Sequence, residues 1–344
     1  MTPSGNRFRT TLALCMLSLS FARSQPAEEP LFDGLSRSLK HDYLSFGILL
    51  RSVADYQPER SFPGTNGFTI SEMRFLIYGK VDNSFGYLFT ATLVKSPAIL
   101  DARLSYRISP LLTLDMGQYK APFSAEWLTP AQIIDCVYRS QVVNALGVGR
   151  QIGLQSRGRL SGDAFTYAMG LFNGSGTAGN ANDNNGFMVA GRVTAKPRLF
   201  AAAADSIVFG LNAAYSRDKA VDLGNGFWPG FKGRRTVLGA DLRLASGGAF
   251  LAAEGITARL ADSLTNVPFG YYITAGYSVA AECALLVRWD YFRSDGIGRD
   301  GRLVILGCNL WPGRLTEIQV NYIVSVDDAV FKHHRVQLNA QFAF

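Results

Sequence analysis

Three cations stand out in one connecting stretch of the chain: Lys120, Arg139 and Arg150. A set of fixed cations at one level lowers the barrier for a passing anion, and a guanidinium can hold two oxygens of a phosphate at once. The chemistry on offer is attraction and guidance of anions, with no bond made or broken. A second reading of the same residues is charge balance, with Glu126 and Asp135 as partners. Catalysis has little to build on. A hydrolase needs a nucleophile with a base in reach. Here Ser325 lies near His333 and His334, two neighbours that point to opposite faces of a strand, and no GxSxG occurs. The expectation is that the protein is not an enzyme. His41, His333 and His334 are the only imidazoles, and Cys136, Cys283 and Cys308 are far apart without a CxxC. This pattern predicts no zinc site, no disulfide framework and no cofactor.

The elements that must position these cations read as strands. From residue 44 onward, polarity alternates over segments of about ten residues separated by Gly, Asn, Asp, Ser and Pro, the signature of a transmembrane β-barrel. Sixteen segments are predicted: 44–55, 68–81, 85–93, 99–108, 111–119, 149–160, 164–172, 187–195, 206–216, 235–244, 249–259, 269–279, 283–292, 302–310, 315–325 and 334–344. Charges keep to one parity. Asp101, Arg103 and Arg107 oppose Ala102, Leu104, Tyr106 and Ile108; Arg288 and Asp290 oppose Leu285, Val287, Trp289 and Tyr291. A charge facing the mid-bilayer costs about 2–4 kcal/mol, so the charged parity faces a water-filled interior. Arg74, Lys80, Arg103, Arg107, Arg157, Arg192, Arg243 and Arg288 then line it, interleaved with Glu72, Asp101, Asp115, Asp241, Asp290 and Glu317. Connections after odd segments are mostly long and polar, such as 120–148, 173–186 and 217–234, and those after even segments are short. That alternation fits long external loops and tight periplasmic turns.

The two ends add compartment. Arg7 and Arg9, an apolar run from Thr10 to Phe21, and the small residues around Ala22-Arg23-Ser24 read as an export signal over residues 1–24. Residues 25–43 read as a flexible lead-in and 44–344 as the barrel domain. Taking Arg7, Arg9 and Arg23 from the 34 basic residues leaves 31 against 27 acidic, so the formal charge falls from +7 to +4 and carries no nucleic-acid signature. Val336, Leu338, Ala340, Phe342 and Phe344 alternate with polar residues, and a closing strand ending on Phe344 is the kind that barrel-insertion machinery reads.

The stretch holding the three cations is distinctive. It begins Gly117-Gln118-Tyr119-Lys120-Ala121-Pro122-Phe123-Ser124-Ala125-Glu126-Trp127-Leu128, continues to Tyr138-Arg139-Ser140 and returns at Gly149-Arg150-Gln151-Ile152-Gly153. It resembles the phosphate-selective porin O and P family, in which a GQFK-x-PF-x-x-E pattern, an E-R-S and an R-x-x-G follow the fifth strand. Ser71-Glu72-Met73-Arg74 and Leu286-Val287-Arg288-Trp289-Asp290-Tyr291 extend the likeness. Tyr138 stands where the pattern prefers an acid. The resemblance implies an all-β, sixteen-stranded antiparallel barrel in the bacterial outer membrane, a homotrimer, with an inward-folded third external loop that narrows the pore. It places Lys120, Arg139 and Arg150 at an anion-binding constriction. The expected partners are small anionic solutes and outer-membrane lipids, and the expected function is passive diffusion of small hydrophilic solutes such as phosphate. A non-selective diffusion porin and a structural or adhesive barrel are the alternatives.

Overall fold

Side chains on a strand alternate between two faces, and in this chain that alternation builds a single closed wall. The computed structural model describes residues 34, 38–60, 62, 64–94, 98–176, 181–197, 206–224, 226–298, 300–326 and 333–344. The expected export signal, most of the lead-in, and parts of the connections at 94–98, 173–186 and 196–205 lie outside them. The long strands are β1 (Ser45–Tyr56), β2 (Gly67–Lys80), β3 (Phe85–Thr92), β4 (Ala98–Ser109), β5 (Leu112–Lys120), β6 (Arg150–Leu160), β7 (Phe165–Phe172) and β8 (Met188–Ala195) in the first half. The second half holds β9 (Ser206–Leu223), β10 (Trp228–Ser246), β11 (Ala249–Ala261), β12 (Phe269–Ala280), β13 (Cys283–Arg293), β14 (Gly301–Gly313), β15 (Thr316–Ser325) and β16 (His334–Ala343). A two-residue bridge, Thr265–Asn266, sits between β11 and β12.

Each strand pairs antiparallel with its sequence neighbour, and β16 pairs with β1 to close sixteen strands into a barrel. Arg51 lies opposite Gln341 and Val53 opposite Asn339. Ile48 and Phe344 complete the seam by exchanging N–H···O bonds of 3.2 and 2.9 Å. Closure gives every long strand of the described wall a partner on both sides, and an open edge would cost several kcal/mol per unpaired group in hydrocarbon. Tight turns serve one end. Gly247 and Gly248, at φ 55° and 85° between the paired Ser246 and Ala249, form the two-residue hairpin in which both central residues need positive φ. At another turn, Asp82 Oδ1 accepts the N–H groups of Phe85 and Ser84, which hold its carboxyl below the usual carboxylate range.

The two faces divide as the parity requires. Leu104, Met116 and Leu211 are 65, 67 and 62% exposed on the outside, whereas Asp115, Arg288 and Asp290 are 0, 1 and 2% exposed on the inside. One hairpin departs from the sequence expectation. Residues 217–234 read as a loop because of Gly224, Gly226, Pro229, Gly230 and Gly233, yet β9 and β10 continue through most of that stretch, with a bulge between Phe231 and Gly233. Val221, Leu223 and Phe231 on this extension are buried with Tyr119, Phe123, Val142, Leu146, Phe172 and Phe292, so the largest apolar core lies where the hairpin meets the 121–149 connection. Gly224, at φ 62°, approaches Ala145 so closely that an added Cβ would stand 2.3 Å from its carbonyl oxygen.

Leu104→Arg should lower stability in lipid by about 2–4 kcal/mol, whereas Ala168→Lys on the inner face should cost far less; reversible urea unfolding from lipid vesicles measures both.

Candidate functional site

The connection between β5 and β6 contains α1 (Ala125–Leu128), a 3-10 turn (Ala131–Ile133) and α2 (Gln141–Leu146). Ser124 caps α1 by accepting the N–H of Trp127 at 3.1 Å, in a backbone conformation (φ 67°, ψ 127°) that non-glycine residues rarely adopt. Its own N–H donates to Asn212 of β9 at 3.1 Å. The next two N–H groups, of Ala125 and Glu126, donate to the two oxygens of Glu254 on β11 at 3.0 and 3.1 Å. Ser140 caps α2, and the N–H of Gln141 reaches the Asp290 carboxylate of β13 at 3.1 Å.

Further contacts carry the segment across more of the wall. Arg51 of β1 donates to Val137 O at 2.7 Å, and Asn321 of β15 accepts from Val137 N at 2.7 Å. Gln319, Asn309 and Gln341 donate to the carbonyls of Ile134, Asp135 and Gln132 at 3.0, 2.9 and 2.8 Å. Two ion pairs lie among these bonds. Arg288 stands 2.7 Å from Glu126 and over the Tyr272 ring, and Arg243 of β10 pairs with Asp135 at 3.0 Å. Irregular backbone satisfies none of its own groups in a ladder, so the wall supplies partners from seven strands, and β10 adds the ion pair to Asp135. Burial raises the Cys136 thiol to about 12 and also lifts the Tyr138 phenol.

The predicted cations divide into four sets. Lys120 and Arg139 brace the segment itself. Lys120 Nζ donates to Trp127 O and Thr129 O at 2.5 and 3.2 Å, Arg139 donates to Glu126 O and Thr129 O at 3.0 and 2.8 Å, and both lie over the Trp127 ring. Burial lowers Arg139 from its ordinary value and Glu126 opposes that shift; a guanidinium remains charged regardless. A second set is ion-paired on the wall: Arg150 with Asp101 at 3.0 Å, Arg74 with Glu72 at 2.6 Å, Arg157 with Asp115 at 2.6 Å and Arg192 with Asp241 at 2.5 Å, while Arg103 stands 4.0 Å from Asp115. The third set, Lys80 and Arg107, is exposed and has no carboxylate partner among the described residues. Arg243 and Arg288 differ from the rest because they bind the segment through Asp135 and Glu126.

Two adjoining cavities of about 520 and 690 Å³ run between the segment and β1–β8, sharing Pro122, Leu128, Arg157 and Ala168. The first reaches Arg74, Asp101, Lys120 and Arg150; the second ends at the turn residues Asp82, Asn83, Pro110 and Gly162. Nine basic side chains line them (Arg74, Lys80, Arg103, Arg107, Lys120, Arg150, Arg157, Arg159, Arg192) against three acids (Asp82, Asp101, Asp163). Sequence reasoning did not find the residues that anchor the segment: Asn212, Glu254, Asn309, Gln319, Asn321 and Gln341. The available signal was a run of amides on the inner parity of β15 and β16, where a simple water-facing wall has no need of so many.

A model of the phosphate-selective porin O and P family matches residues 50–240. Among solved structures, the anion-selective porin from Comamonas acidovorans is similar at 12% identity with a TM-score of 0.64, covering 88% of this chain and 99% of that one. OprB of Pseudomonas putida matches at 11% identity and a TM-score of 0.64, over 91 and 97% of the two chains. OmpT, an outer membrane protein of Vibrio cholerae, matches at 14% and 0.63, over 88 and 97%. At such identities the likeness shows the fold alone. No curated protein matches this chain in sequence.

Arg288→Met leaves Glu126 buried without its cation, with Asp290 close by. It should destabilise the barrel by about 3–5 kcal/mol and open residues 121–149 to protease, as urea unfolding and mapped limited proteolysis will read.

Proposed function

Because the chain belongs to the phosphate-selective porin O and P family, we propose that its barrel carries small hydrophilic anions, phosphate among them, by passive diffusion across a bacterial outer membrane. Residues 121–149 act as the inward-folded third external loop that narrows the pore. Their hydrogen bonds and ion pairs to side chains of β1, β9–β11 and β13–β16 support that role.

The charge on the passage carries the anion reading. Its nine basic and three acidic lining side chains give +6, and counting Glu72, Asp115 and Asp241 directly behind them leaves +3. A net positive lining lowers the barrier for anions and raises it for cations. Lys80 and Arg107 act as the open cationic end of the track, and Arg103 and Arg157, 29 and 41% exposed at their side chains, as its middle. Arg150, Lys120 and Arg139 form the narrow level with Arg74. A solute moves by exchanging between sites that each bind weakly, which is what conduction needs. The pairing of Arg74, Arg150, Arg157 and Arg192 with carboxylates favours a second reading, a pore that takes small solutes with little regard to charge. The protein acts as a homotrimer whose Phe344 is read during insertion.

In a planar bilayer under a KCl gradient, the purified, refolded protein should give an anion-directed reversal potential, with current reduced by added phosphate. Lys80→Glu with Arg107→Glu should shift the reversal toward cations. A neutral reversal without phosphate block would leave the non-selective pore, and absence of any channel would remove the transport reading.

A further inference from the structure

The outer surface of the barrel holds a second feature on the strands β7 to β11. On its membrane face lies an apolar groove of about 620 Å³, walled by Met169, Val189, Leu211, Tyr215 and Leu238. Its floor is made of small residues, Gly191, Ala213 and Thr236. A Cβ added at Gly191 would meet nothing closer than 3.5 Å, so strand packing does not require glycine there and its absence of a side chain keeps the groove open.

Directly beyond the groove on the same strands the outward face turns cationic. Arg259 lies opposite Thr236, and Arg217 stands directly opposite Arg234. Lys219 and Lys232 follow at the bulge between Phe231 and Gly233. All five side chains are exposed, and among the described residues none has a carboxylate partner; Lys219 donates to the carbonyl of Asp183 at 3.3 Å. Arg217, Lys219, Lys232 and Arg234 share a surface cavity of about 670 Å³ whose acids are Asp262 and Asp218, the latter already paired with Arg235 at 2.9 Å. Like charges directly opposite on neighbouring strands are destabilising, and this cavity sets four cations against Asp262 alone once Asp218 is paired, so the Arg217–Arg234 pair, with neither guanidinium bound to a carboxylate among the described residues, calls for an anion between them. At the ordinary rise of a strand, Arg217 is roughly 7 Å beyond Tyr215, one pleat past an aromatic of the kind that marks the membrane interface.

We propose that this wall binds a phosphorylated membrane lipid, with an acyl chain in the groove at Gly191 and Ala213 and headgroup phosphates on Arg217, Arg234 and Arg259. Arginine forks match phosphate oxygens in pairs, and the groove supplies the apolar half that a free anion cannot use. A second copy of the chain seated by a two-fold would set the same cations against each other. The site depends on a membrane location and not on the selectivity of the pore.

The test is native mass spectrometry of the full refolded chain in detergent with diphosphoryl lipid A, phosphatidylethanolamine or inorganic phosphate added. The expected result is a discrete lipid A adduct that phosphatidylethanolamine does not reproduce. Its apparent affinity should fall on the order of tenfold or more in the triple variant Arg217→Gln, Arg234→Gln, Arg259→Gln, and also in Gly191→Leu, with bilayer conductance unchanged in both. Conductance also certifies that each variant has folded. Retention of the adduct by the triple variant would overturn the proposal. So would loss of the adduct to equimolar inorganic phosphate with no effect of Gly191→Leu, which would mark a free-anion site, and so would a chain–chain complex that the same variants dissociate without any bound lipid.

Discussion

Hydrocarbon offers no partner to a backbone N–H or C=O, and every level of this structure answers to that constraint. The wall answers it with sixteen antiparallel strands and the seam between β1 and β16, where Ile48 and Phe344 exchange bonds. Closure fixes the parity of each strand, and parity fixes which residues share the interior. The segment 121–149 meets the same demand without a ladder. Its groups at Ser124, Ala125, Ile134, Asp135 and Val137 are satisfied by Asn212, Glu254, Gln319, Asn309 and Asn321. Side-chain amides suit this task because each can donate to a carbonyl or accept from an N–H without carrying charge into the contact.

Satisfying the segment also sorts the charges of the barrel. Glu126, Asp135, Glu254 and Asp290 are engaged in the contact between the segment and β10–β13, where Arg243 pairs with Asp135 and Arg288 with Glu126 while Glu254 and Asp290 accept N–H groups of the segment. The cavities on the other side of the segment keep more basic than acidic side chains. An even mixture of charges in the sequence thus becomes an uneven one in space. Asp115 illustrates the limit of that separation, since it accepts from Ser105, Gln155 and Arg157 at once and holds the middle of the basic wall together.

The sequence made the strand register legible, because the cost of a charge in lipid leaves a period of two that survives noise at single positions. Fifteen of the sixteen boundaries at strand starts fall within two residues of their expected places; β10, which begins at Trp228 and not at 235, is the exception. It was missed because Gly224, Pro229, Gly230 and Gly233 are ordinary signs of a loop, whereas here they allow a bulged hairpin to lie against Ala145. The partners of Lys120 and Arg139 were illegible for a different reason. A cation bound by carbonyl oxygens leaves no complementary charge in the sequence, and carbonyls are present at every residue.

That distinction bears on how a cation contributes to the field of the passage. A carboxylate partner cancels most of the charge it binds, as Asp101 does for Arg150 and Glu72 for Arg74. A carbonyl partner satisfies the hydrogen bonds and leaves the net charge in place. Arg139, held by Glu126 O and Thr129 O and stacked on Trp127, is therefore a brace whose charge persists. Positioning and electrostatics are not competing roles at this residue. The carbonyls that fix its place are also the reason that it needs no acid, and a rigid cation costs no reorganisation when an anion approaches.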